Sequence, residues 1–324
     1  MCRFVESSIS YAKTIMKISL QGNKVFGFRA PKNFNSHFTF FGFKLNSFWH
    51  RFDSMLNQHS RCDPSTDAER VEQGCYCLLF HGDNIGHFFH DIFFPFYVRY
   101  RKNPLPIYFS FAHNQFFYDF LCATVGKEKI IELSPTQTYH FDNVFITPEG
   151  RDLKEYENYL EICQEIKNAC FKNLNIIENR SRTIMYGRTE LSRKKLLNVD
   201  PIFLERHGIE VFHFSKLNFS ETVKNMAETK NFIYIVGASV FYLLFLSKEV
   251  FVLEINPAVN NSWANMFGMD RLCQFSVMIS QNIQATSTPE FAKVAHDSDV
   301  FFDSDLKTQI TNLLVDSKTI SNPL

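Results

Sequence analysis

Residues 81–100 read HGDNIGHFFHDIFFPFYVRY, with three histidines and two aspartates in the first eleven positions. If a helix begins near Asn84, His87 and Asp91 stand four apart on one face, and His90 lies three from His87. Three chemistries fit this pattern. A metal cradle would use His87, His90 and Asp91, with His81 or Asp83 from the preceding loop, and those ligand types suit zinc or iron. No more distant ligand can be picked out to complete such a set. A purely structural segment would have Asp83 or Asn84 capping the helix and the histidines filling polar pockets among packed phenylalanines. A catalytic corner would use a histidine oriented by a carboxylate as a general base, which contributes roughly 10²–10⁴ in rate.

Further along, GRTELSRKKLLN (187–198) places Arg188, Arg193, Lys194 and Lys195 after a predicted strand end. There they could grip a diphosphate through charge-assisted hydrogen bonds of about 1.5–3 kcal/mol each, or form a solvated basic loop. Gly237 ends the apolar run NFIYIVG, and a helix opening at Ala238–Val240 would point free N–H groups outward, the geometry of a phosphate seat. Glu254, at the following strand end, could accept hydrogen bonds from ribose hydroxyls or pair with a nearby Lys or Arg. Asp-Ser-Asp occurs at 297–299 and 303–305, but neither copy follows a nucleotide-binding strand, so capping and turn chemistry is the reading.

The elements that must position these residues alternate. Between about 180 and 257 the strands RTIMYG, IEVFHF, NFIYIVG and VFVLEINP are separated by helices of about ten residues. Asp200 before Pro201 caps the first of these helices, Ser220 can cap the second, and ASVFYLLFLSKE forms the third. This pattern predicts a parallel sheet wrapped on both faces, a Rossmann-like half. The first half follows the same plan less regularly: CYCLLF, LPIYFSF and KIIEL are strands, and Pro95 kinks or interrupts the helix after CYCLLF. A long helix over 153–174 joins the halves, and DLKTQITNLLVDS forms a last helix.

Composition narrows the function classes. Hydrophobic residues make up 45% and charged residues 21% of 324, a globular balance. Lys+Arg and Asp+Glu are equal at 34 each, so no global field draws nucleic acid or an anionic membrane, and anion binding must be local. The 37 phenylalanines read as core. The eight cysteines, with no Cys-x-x-Cys pair, read as buried thiols of a reducing compartment. The N-terminal stretch carries charges through its apolar part, unlike a signal peptide, and no run reaches the roughly 18 apolar residues of a membrane span. The expectation is a cytoplasmic protein, with peripheral association at the inner face of a membrane left open.

In order, these residues resemble glycosyltransferase family 61, whose bacterial members serve capsular polysaccharide biosynthesis. The opening signature resembles Asn84, Gly86, His87, Phe88, Asp91 and Pro95. The middle one resembles Arg188, Lys194, Lys195, Asn198, Leu217 and Phe219, and the closing one Val236, Gly237, Phe245, Glu254 and Pro257. The resemblance implies a GT-B-like fold, two Rossmann-like domains facing a cleft: 1–178 on the acceptor side, 179–280 binding a nucleotide sugar, and 281–324 a tail whose helix packs back toward the first domain. It also implies inverting, metal-independent transfer to a glycan acceptor without a cofactor. His87 and Asp91 would be catalytic, and Asp83 and Asn84 would lie on the acceptor side. Arg188, Lys194, Asn198, Gly237, Ser239 and Glu254 would bind the donor. One departure stands out. Where the family has histidine-glycine-alanine after Val-Gly, this chain has Ala238-Ser239-Val240, and serine carries no positive charge. A degenerate member that binds a nucleotide or glycan without turnover is therefore the alternative.

Overall fold

The computed structural model describes residues 16–21, 24–26, 69–79, 85–110, 115–133, 138–146, 153, 156–187, 195–214, 217–257, 262–284 and 298–321. It is an α/β protein with parallel sheets. Two compact units divide the chain: Met1–Asp83 with His87–Arg151, and Asn84–Gly86 with Asp152–Leu324.

In the first unit, β1 (Met16–Gln21) and β2 (Lys24–Phe26) form an antiparallel hairpin. Next come β3 (Glu69–Val71) and β4 (Cys75–Leu79), then a helical run, α1, which starts with an α-turn at Ile85–His87 whose first two residues count with the other unit. Within α1, Phe88–Phe93 is π-helical and Phe94–Tyr100 returns to α-geometry. β5 (Ile107–Ser110), α2 (Gln115–Val125), β6 (Ile130–Glu132) and β7 (Thr138–Ile146) complete the unit. The sheet order is β2-β1-β7-β4-β5-β6. β3 and β4 lie end to end along β7, both parallel to it. Cys75, Tyr76, Cys77 and Leu78 are all buried, as a central parallel strand requires, and burial pushes the Cys75 thiol up to about 12.

Pro95 does not break α1. Proline lacks the N–H that an α-helix would direct to the carbonyl four residues back, and its ring crowds that carbonyl. The wider π-turn just before it, closed by i→i+5 bonds, lets the helix run on. The phenylalanines on this run are core. Phe88 stacks on Phe117 and Phe93 packs on Phe120, each at 4.4 Å between ring centroids.

The second unit opens with α3 (Tyr159–Asn173) and β8 (Arg182–Tyr186), then β9 (Leu196–Leu197), α4 (Pro201–Arg206) and β10 (Ile209–Phe212). α5 (Phe219–Ala227) and β11 (Thr229–Ile235) follow, then a 3₁₀ helix over Ala238–Phe245 and β12 (Phe251–Pro257). α6 (Trp263–Phe267), β13 (Gln274–Ser280), β14 (Ile283–Gln284), β15 (Asp299–Phe301) and α7 (Ser304–Ser321) end it. The main sheet has the order β10-β8-β11-β12-β13, parallel throughout, and a small sheet has the order β14-β15-β9.

One face of the main sheet packs Ile233, Ile235, Leu253 and Ile255 against Leu204 of α4 and Leu306, Ile310 and Leu313 of α7. α7 lays its apolar stripe on this sheet. Asp303 caps α7 by accepting the Leu306 N–H at 3.0 Å, and Lys307 pairs with Asp200 at 2.6 Å. Asp200 in turn caps α4, as the Asp-Pro pair predicts. α5 differs from expectation. Asn218 and Glu221 form a reciprocal capping box, so Asn218 is the cap and Ser220 falls inside the first turn. No helix among the described residues is long and apolar enough to cross a membrane.

The amino ends of the strands are held by ion pairs. Lys167, buried on α3, donates to the Leu246 carbonyl at 3.0 Å and pairs with Glu178. Arg182 at the start of β8 forks onto Glu210 at 2.8 and 2.6 Å and reaches Glu228 at 2.7 Å. Hydrogen bonds from Arg182 hold the Glu210 carboxyl below its ordinary 4.5. A carboxyl depressed in the folded state stabilises fully above its unfolded value and loses that contribution as pH falls through the folded one. Glu210→Gln should therefore lose less stability than the parent chain on acidification from about pH 6 to about pH 3, as read by urea unfolding.

Candidate functional site

In an open parallel sheet, ligands sit beyond the carboxyl ends of the strands, where neighbouring strands send the chain to opposite sides. In the order β10-β8-β11-β12-β13, that reversal falls between β8 and β11. β8 ends at Tyr186 and Gly187, and β11 leads into Val236 and Gly237.

Gly187 is fastened twice to the end of β10. Its N–H donates to the Phe212 carbonyl at 2.8 Å, and its carbonyl accepts from His213 Nδ1 at 2.9 Å. A Cβ built on Gly187 would stand 2.6 Å from Val211 Cγ1 and 2.8 Å from His213 Cε1, so any larger residue here would force those side chains to shift. Residues 188–194 follow, and the chain is fastened again where they end. The Lys195 N–H donates to Asp299 Oδ1 at 2.8 Å, its carbonyl accepts from Val300 at 2.8 Å, and Leu197 accepts from Phe302 at 2.8 Å. β9 runs parallel to β15, and Leu196 packs against the core that α4 and α7 share. Asn198 then takes φ 55°, a left-handed turn that asparagine tolerates, with its side chain exposed.

At the neighbouring strand end, Gly237 has φ 155°, a conformation open to glycine and strained for other residues. The segment after it is not the α-helix that the sequence predicts. Residues 238–245 form a 3₁₀ helix whose side chains from Ser239 onward are buried, opening with the Val240 N–H on the Gly237 carbonyl at 3.0 Å. Ser239 donates its hydroxyl to the Ile235 carbonyl at 3.2 Å. An aromatic wall closes the other face: Tyr186 stacks on Phe214 at 5.3 Å, and Tyr242 meets both, at 6.0 and 4.7 Å.

Glu254 stands midway along β12, opposite Tyr234 of β11. Both side chains are 0% exposed, and the Tyr234 hydroxyl donates to Glu254 Oε2 at 2.6 Å. Burial, and after it the Glu254 carboxylate, push the Tyr234 phenol well above its ordinary value. The strand continues three residues past Glu254 to Pro257, so this carboxylate lies within the sheet and not at its edge.

Of the residues that sequence picked out, Gly237, Ser239 and Glu254 fall on two adjacent strands and the turn between them, and Asn198 falls on the turn after β9. Asp83, Asn84, Arg188 and Lys194 lie outside the described residues. His87 and Asp91 are four apart in α1, with side chains outside the description. Among the described residues, no three His, Cys, Asp or Glu gather as ligands for a metal.

Three residues escaped the sequence reading: Gly187, His213 and Asp299. Gly187 and His213 were legible only as a lone glycine and a lone histidine at strand ends, and Asp299 as one of two Asp-Ser-Asp copies. Gly187→Ala should displace the His213 ring and cost about 1–3 kcal/mol of stability, measured as a lower urea midpoint at unchanged slope.

A family model, Glycosyltransferase 61, matches residues 85–253. No curated protein matches the chain. The match begins with α1, takes in both strand ends at the reversal and closes within β12, just over half of the sequence. The chain belongs to glycosyltransferase family 61.

Proposed function

We propose that this glycosyltransferase is an inverting, metal-independent enzyme that moves a sugar from a nucleotide donor to a glycan acceptor. The reading is GT-B-like, with the acceptor side on the first unit and the donor side on the second, and it needs no cofactor. The observation that carries it is the reversal between β8 and β11, where two glycines, Gly187 and Gly237, end neighbouring parallel strands. The Gly237 N–H and the basic stretch that follows Gly187 suit a diphosphate at that point.

In one step, the acceptor hydroxyl oxygen attacks the anomeric carbon as the bond from that carbon to the diphosphate oxygen breaks. The hydroxyl proton passes to His87, oriented by Asp91, or to Asp91 with the roles exchanged. The electron pair leaves with the diphosphate, whose growing charge Arg188 and Lys194 hold. Gly237 offers its N–H to the phosphates, and Asn198 borders the donor. Asp83 and Asn84 line the acceptor side. Ser239 and Glu254 serve the donor from beneath: the serine fastens the turn to Ile235, and the glutamate fixes Tyr234. A ribose contact by Glu254 requires that carboxylate to leave Tyr234. The setting that suits this chemistry is surface-polysaccharide assembly, such as capsule, in the cytoplasm or at the inner face of a membrane.

The second reading, binding without turnover, is favoured by one feature. The turn after Gly237 is Ala-Ser-Val, with no cation, and its serine hydroxyl is already engaged. Calorimetry with nucleoside diphosphates beside a donor-hydrolysis assay separates the two. Tight binding with no turnover across a broad donor panel would decide for the binder.

Two outcomes follow from the enzyme reading. His87→Ala should lower the turnover number by roughly 10²–10⁴ while donor affinity holds. Full transfer rate in that variant would remove His87 from the chemistry. Arg188→Ala and Lys194→Ala should each weaken diphosphate binding by about 1.5–3 kcal/mol, read by titration calorimetry.

A further inference from the structure

We propose that His213 is a ligand to the diphosphate of the donor, presenting Nε2 from the carboxyl end of β10. The inference rests on the donor reading above and adds a residue to that site. Ile209 and Val211 alternate along β10, and His213 follows the strand in the same alternation, with Val211 and the His213 ring both closing on the Cβ position of Gly187. Ile209 joins the core made with α4 and α7. The imidazole therefore stands on the same face of the sheet as Leu196 of β9, at the strand end where residues 188–194 begin.

Its chemistry is fixed by one bond. A carbonyl only accepts, so the 2.9 Å contact with Gly187 puts a proton on Nδ1. That leaves Nε2 as the second polar atom of a ring held in one orientation. The side chain is partly exposed, so this second nitrogen need not be sealed in the fold. Holding the ends of β8 and β10 together needs one donor only. The imidazole brings a second polar atom to the edge where the sheet order places a ligand.

Two substitutions separate ligand from prop. His213→Asn keeps an amide N–H where Nδ1 stood and removes Nε2. His213→Gln places an amide near Nε2 and gives up the bond to Gly187. With uridine and guanosine diphosphates as probes in calorimetry, His213→Asn should keep the thermal midpoint within about 2 °C and bind roughly tenfold more weakly. His213→Gln should recover part of that affinity at a lower midpoint. In the parent protein, the His213 Cε1–H resonance should shift on saturation with the tighter diphosphate. Should either variant fail to fold, this resonance decides alone.

His213→Asn binding like the parent, or an unmoved resonance at saturation, overturns the inference. If Arg188→Ala weakens binding while His213→Asn does not, only this inference falls. If the parent chain binds neither diphosphate, the donor reading falls and takes this one with it.

Discussion

Parallel pairing of β8 with β11, and of β11 with β12, forces every one of these strands to finish at the same edge of the sheet. Their side chains are largely buried on both faces, so each connection must cross over through a helix and return. The consequence is that Gly187 and Gly237 come to the same edge of the sheet on neighbouring strands although 49 residues of chain lie between them. The Gly187 and Val236 N–H groups are taken up by the neighbouring strands, on Phe212 and Ile255, so the chain leaves the sheet at this edge only after both glycine-bearing ends are fastened.

The neighbourhood of that edge is built mostly from contacts that never reach a ligand. Tyr234 and Glu254 pair inside the sheet, Ser239 ties its own turn, and the aromatic wall of Tyr186, Phe214 and Tyr242 joins three connections. A hydrogen bond to a charged acceptor in a dry interior is strong, and losing one partner leaves the other unsatisfied. Such pairs keep the strand ends in register, and register decides where the glycines stand.

The alternation of strand and helix from Arg182 to Pro257 was legible because the strands are long apolar runs broken by cap residues, Asp200-Pro201 most clearly. Sequence alone does not separate Ser220 from Asn218 as the cap of α5, because serine and asparagine are both good caps. Only the reciprocal bond between Asn218 and Glu221 decides between them. ASVFYLLF reads as an α-helix by composition, yet burial on all sides removes the amphipathic stripe that distinguishes helix types. Glu254 reads as a strand-end acceptor because spacing along one chain says nothing of what stands opposite. Tyr234, twenty residues earlier, becomes its neighbour only through the pairing of β11 with β12. The His213 contact with Gly187 is hidden in the same way, since it joins two strand ends through a backbone carbonyl.

The bond from Lys195 to Asp299 spans 104 residues. A ribosome emits the chain in order, at about 5–20 residues per second, so roughly five to twenty seconds separate the appearance of β9 from that of its partner strand. During that interval the short strand has no edge to join, and the apolar side of the main sheet awaits α7. Until residue 299 has been made, the Lys195 N–H and the edge of β9 lack the partners that fix them in the finished fold.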